Sequence, residues 1–177
     1  MLRIRHLVLA AAFAAIYIIY AATSSLFFRA FTRSFDIFIV TTLLFTVLYM
    51  EIERAGAATL LALVTGVILF FLPGVPAPAH ILASLFANAL FFDFYLQRTS
   101  SFPSRIHITV AAVLGSIAMA VVGLLVVQVS GVLEEPLSPV IWAIALITDP
   151  IAGAIGALLG FNIAKRIRLR PALTRKV

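Results

Sequence analysis

PVIWAIALITDPIAGAIGALLGFNIAKRIRLR, running from Pro139 to Arg170, decides how this chain is read. Its first half is apolar except for Thr148 and one carboxylate, Asp149, which is followed at once by Pro150. Counting about 1.5 Å per residue inward from Pro139 puts Asp149 roughly 15 Å deep, near the middle of a hydrocarbon layer about 30 Å thick. A charge at that depth is costly, and such groups face a bundle interior or a watery cavity. Ala152, Gly156, Gly160 and Ala164 then recur at every fourth position, presenting nearly bare backbone on one helical face. Lys165, Arg166, Arg168 and Arg170 close the run and mark its cytoplasmic end.

The rest of the chain has the same character. Of its 177 residues 63% are hydrophobic and 11% charged, which leaves too little polar surface to cover a soluble core. The net charge of +6 does not point to nucleic acid, because most basic residues sit beside apolar runs and act as orientation signals. With no cysteine there are no disulfides, thiolate metal sites or thiol nucleophiles.

Apolar runs predict an all-α, polytopic membrane protein: one domain over residues 1–177, with six spans at about 7–28, 37–50, 55–72, 79–96, 106–129 and 140–164. The first run, about 22 residues after Arg3, Arg5 and His6, exceeds the apolar core of a cleaved leader and reads as a retained helix. The second is the short one and must thin the bilayer or be sheltered by neighbours. Pro73, Gly74, Pro76 and Pro78 break the chain before the fourth span. Eleven of the thirteen Lys and Arg residues fall on one side of this topology, which predicts both termini in the cytoplasm. Arg29 and Arg33, in the first connection, are the two exceptions.

Motifs of intramembrane catalysis are missing. There is no His-Glu-x-x-His, no Gly-x-Ser-x-Gly and no phosphate-cradling glycine loop, so the chain is expected not to be an enzyme and to need no cofactor. His6, His80 and His107 stand far apart at span ends, and no metal site is expected. The candidates are therefore binding groups. Asp149 either meets an amine or cationic ring of a solute or pairs with a neighbouring helix. Asn88, at similar depth, either shares that cavity or makes an interhelical hydrogen bond. His80 and Trp142 lie at the outer rim, where aromatic belts also form, and Gln128 stands near the outer end of the fifth span. Arg29 and Arg33 either cap a site or snorkel to the interface. Asp93 reads as the structural partner of Arg98.

Four stretches together give the chain a resemblance. A basic start runs into HLVLAAAFAAIYIIYAATS (6–24), a Pro/Gly break precedes the fourth span, that span carries ANALFFDF (87–94), and the last ends DPIAGAIGALLGFNIAKRIR (149–168). The pattern resembles the substrate-binding S components of energy-coupling factor (ECF) transporters over nearly the whole chain. The resemblance implies a small-solute pocket near the outer face, with the first connection as a lid, built from Arg29, Arg33, His80, Asn88, Gln128, Trp142 and Asp149. It also implies docking of the first helix, through Ala10 and Ala14 or through Ala11 and Ala15, onto a transmembrane coupling subunit driven by two cytoplasmic ATPases.

The expected function is capture of a small water-soluble vitamin or related micronutrient at the cell membrane, for ATP-driven uptake. An alternative is a self-sufficient small channel or ion-driven carrier that forms a homo-oligomer through the Gly156 and Gly160 face. A third is a structural subunit of a larger membrane complex, with no ligand.

Overall fold

The computed structural model describes residues 4–27, 35–72, 78–99, 104–130 and 137–174, with the side chains of 24–27, 78 and 168–174 excepted. These residues form six helices and no strand: α1 (Ile4–Phe27), α2 (Phe35–Ile52), α3 (Ala57–Phe71), α4 (Pro78–Thr99), α5 (Arg105–Val129) and α6 (Pro139–Thr174). Five of them are long and apolar enough to cross a membrane, and the chain is a multi-pass helical bundle on that ground. Arg29 and Arg33 lie outside the described residues.

Helix ends follow from local chemistry. Pro139 and Pro78 each stand in a first turn, where the missing N–H is no loss. Asp36 places its charge in the first turn of α2, where the backbone N–H groups point outward. Ser104 caps α5 by accepting the His107 N–H. Between α2 and α3 the chain reverses within a few residues, with Glu53 at φ 53° and Gly56 at φ 90°. Only glycine takes the second of these without a steric cost.

The short helix is α3, with 15 residues, whereas α2 has 18. The sequence places the short span second. In the structure α2 gains Phe35 and Asp36 at one end and Glu51 and Ile52 at the other, and α3 starts only after Gly56. Polar residues at a helix end are tolerated because they reach the interface, so they do not end the helix where the apolar run ends.

Packing makes α2 the hub. It touches α1, α3, α5 and α6, while α4 sits between α3 and α5, and α1 rests on α3 and α2. Since lipid tails are as apolar as leucine, helices in a bilayer associate by close fit and hydrogen bonding. The fit here is glycine against oxygen. A Cβ on Gly156 would collide with Thr42 Oγ1 and the Ile39 carbonyl oxygen, and one on Gly160 would come 2.7 Å from the Leu43 carbonyl oxygen. The Gly156 and Gly160 face is thus occupied by α2 of the same chain and is closed to a second copy, which removes the surface expected to build a homo-oligomer. A separate face of α6, about 100° round the helix, carries Ile147, Ile151, Ile155, Leu159, Ile163 and Ile167 at every fourth position, all exposed as a lipid-facing stripe.

These contacts fix direction as well. Gly156 and Gly160 of α6 meet Ile39 to Thr46 of α2 in the same order, so the two helices run parallel. Tyr20 near the end of α1 meets Asp36 at the start of α2, so α1 runs the other way. The start of α1 and the end of α6 therefore share one end of the bundle.

Candidate functional site

Asp149 is 8% exposed, on the buried side of α6. Its Oδ1 accepts a hydrogen bond from the Thr148 hydroxyl at 3.2 Å, a neighbour on its own helix. Thr148 is itself anchored to the Ile144 carbonyl at 2.9 Å. No ion pair and no hydrogen bond from another helix reaches Asp149 among the described residues, so of the two roles open from sequence the interhelical pair is not the one formed. Pro150 adds a second acceptor: having no N–H, it cannot bond the Leu146 carbonyl one turn earlier. The turn around Asp149 is consequently rich in acceptors and poor in donors.

Register places other groups in the same layer. A Cβ on Gly153 would collide with Ser116 Oγ and lie 3.0 Å from the Ala112 carbonyl oxygen, so Asp149, one turn nearer the start of α6, is level with residues 116 to 120 of α5. Met119 in that layer receives the Asn88 Nδ2 donor at 3.3 Å. Asn88 is fully buried, and its Oδ1 has no hydrogen-bond donor among the described residues. That oxygen occupies the place a Cβ would take on Gly115. Ser116 Oγ is likewise buried without a partner and fills the space beside Gly153. Weak Cα–H contacts are what such an oxygen finds against a glycine. Asn88 thus makes an interhelical bond and also leaves a buried acceptor against Gly115, about one turn along the bundle from Asp149.

The remaining sequence candidates are spread along the bundle. Trp142 is half-buried, seven residues from Asp149 on the same face of α6, about 10 Å nearer the start of the helix. His80 is half-buried in the first turn of α4, about 12 Å from Asn88 along the helix. Gln128 is exposed, and nine residues past Met119 it is turned to the opposite side of α5. The structure therefore sets Asp149 and Asn88 about one turn apart along the bundle, leaves His80 and Trp142 nearer the helix ends, and turns Gln128 away from both.

On α1 the two alanine pairs separate. Ala10 and Ala14 are fully buried in the chain's own core, beside Tyr17, while Ala11 and Ala15 are exposed. A partner helix cannot reach the first pair without displacing α2 or α3, which corrects the expectation for Ala10 and Ala14. Ala11 and Ala15 face outward with Val8, Ile16 and Ile19.

Asp93 also finds a different partner from the one expected. Its carboxylate accepts from the Thr59 N–H at 2.8 Å, the Thr59 hydroxyl at 2.7 Å and the Ala58 N–H at 3.4 Å. A side chain of α4 thereby caps the first turn of α3. Arg98 instead lies over the Phe94 ring, 4.3 Å from its centre. Sequence reasoning also missed the hydroxyls of Thr42 and Ser116 and the Tyr20 hydroxyl, which donates to Asp36 Oδ2 at 2.8 Å. Among the described residues no group of three or more His, Asp or Glu could hold a metal ion.

No family model, curated protein or solved structure matches the chain.

Proposed function

We propose that this chain is the solute-capturing S component of an energy-coupling factor transporter. It takes up a small water-soluble vitamin or related micronutrient at the cell membrane and works with a transmembrane coupling subunit and an ATPase pair. The observation that carries this reading is the Asp149 carboxylate: nearly buried in an apolar helix, hydrogen-bonded only within its own helix among the described residues, and accompanied by the open carbonyl of Leu146. A buried charge without a cross-helix partner is costly, and a bound solute that offers N–H donors removes the cost.

The same chemistry sets the class of solute. A turn of acceptors, Asp149 and the Leu146 carbonyl, favours a protonated amine or the N–H of a cationic ring over an anion. In this reading the protein performs no covalent step. Its helix α1 offers the outward pair Ala11 and Ala15 to the coupling subunit, since Ala10 and Ala14 are already used inside the fold.

The test is mass spectrometry of small molecules retained through purification of the intact protein, repeated with Asp149→Asn. Support is a retained, amine-bearing or cationic solute that the variant loses. Retention of the same solute by both proteins removes Asp149 from the site, and a discrete homo-oligomer with ion flux and no retained solute overturns the reading.

A further inference from the structure

The outer surface of the bundle carries a feature that the solute site does not use. Between α5 and α6, at the end where the basic segment of α6 emerges, lies a groove of about 390 Å³ lined by Arg105, Ile106, Thr109, Val110 and Leu158. We propose that this groove binds one anionic phospholipid, with an acyl chain along Ile106, Val110 and Leu158 and the headgroup phosphate held by Arg105 and Lys165.

Position, charge and shape each support the assignment. Leu158, Asn162 and Lys165 follow one another at spacings of four and three, so they share a face of α6, and Lys165 lies about 10 Å beyond Leu158 toward the helix end. Arg105, Asn162 and Lys165 are exposed, and neither Arg105 nor Lys165 forms an ion pair among the described residues. Thr109 directs its hydroxyl to the Arg105 carbonyl at 2.9 Å, so it is satisfied within its own helix. No acidic side chain lines the groove.

From Arg105 to Val110 the groove runs about 7.5 Å along the helix, from basic at the membrane surface to apolar below it. That polarity profile matches an amphiphile standing upright in the leaflet. A free phosphate ion would gain nothing from the apolar walls, and a partner helix would gain nothing from two cations at one end. Basic side chains beside the membrane surface attract anionic headgroups, each by about 1 kcal/mol.

The experiment uses the full chain, purified, delipidated and offered equimolar phosphatidylglycerol and phosphatidylcholine, with bound lipid read by native mass spectrometry. One phosphatidylglycerol should be retained in preference. The double variant Arg105→Gln, Lys165→Gln should lower that retention roughly 25-fold, about fivefold for each basic side chain. Arg105→Lys with Lys165 kept should restore most of it, because a lipid phosphate accepts either cation. Val110→Trp, which fills the groove, should reduce both lipids. Arg98→Gln, a basic residue at the same membrane face but held over Phe94, should change nothing. Equal retention of the two lipids by the unaltered protein overturns the proposal. So does a loss with Arg98→Gln as large as with the double variant, which would mean general surface charge in place of a site.

Discussion

The Asp93 carboxylate, on α4, holds the first turn of α3 through Thr59, accepting both its N–H at 2.8 Å and its hydroxyl at 2.7 Å. Two helices are thereby joined, near one end of the bundle, by charge-assisted hydrogen bonds, stronger than neutral ones. One residue before Asp93, the Phe92 ring packs edge to face against Phe45 and against Tyr49, with centres 6.1 Å apart in each pair. Replacing Asp93 by Ala leaves donors at the start of α3 unanswered and is expected to cost about 2–4 kcal/mol. Thr59→Val keeps the backbone bond and should cost about 1 kcal/mol. Thermal unfolding in detergent, followed by circular dichroism, measures both. A double variant no worse than Asp93→Ala alone would establish that they act as one unit.

Asp149→Asn removes the charge and keeps the shape. Binding of an amine-bearing or cationic solute should weaken by about 10- to 100-fold, the value of one hydrogen bond to a charged group. Thermal stability without solute should stay the same or rise, since a buried charge with no cross-helix partner is removed. Equilibrium dialysis with the retained solute and unfolding of the empty protein check the two halves independently.

The faces of α1 predict opposite outcomes for neighbouring alanines. Ala10→Trp and Ala14→Trp force a large ring into a filled core and should lower stability by about 1–3 kcal/mol or more. Ala11→Trp and Ala15→Trp point outward and should change stability by less than about 0.5 kcal/mol. If α1 docks a coupling subunit, the outward pair should abolish uptake in cells while leaving solute retention intact. Normal uptake in both outward variants would detach that face from coupling.

Gly156→Ala should destabilise the bundle by about 1–3 kcal/mol, because its Cβ meets the Ile39 carbonyl oxygen as well as Thr42 Oγ1. Thr42→Ala in the same chain should not restore stability, since the backbone obstacle remains. Full rescue would mean that the side chain alone sets the approach of α2 to α6. Unfolding midpoints of the two single variants and the double decide it.

Much of this arrangement is legible in the residues themselves. Long apolar runs declare the helices, and a depth count from Pro139 puts Asp149 among buried groups because membrane helices have one rise per residue. What fails to be legible is the relation between helices. Asp93 and Arg98 are close in sequence, yet five residues along a helix turn them about 140° apart, so the true partner comes from α3. On α1, alanine and large apolar residues occur all round, and nothing in the sequence says which side neighbours will cover. Ser116 and Thr42 look like ordinary small polar residues until Gly153 and Gly156 are seen opposite them, and that register is a property of two segments far apart in the chain. Arg29 and Arg33, read as a cap over the site, lie outside the described residues.

Pro150 gives α6 two mechanical regimes. Below it, Gly156 and Gly160 clamp the helix against α2, and the rod continues to Thr174, about 21 Å past Gly160. Above it, eleven residues from Pro139 to Asp149 are joined to the clamped part through a turn that lacks one backbone hydrogen bond, which makes that turn the compliant one. Bending of α6 is therefore easiest at that turn, between the arm that carries Asp149 and the part held against α2.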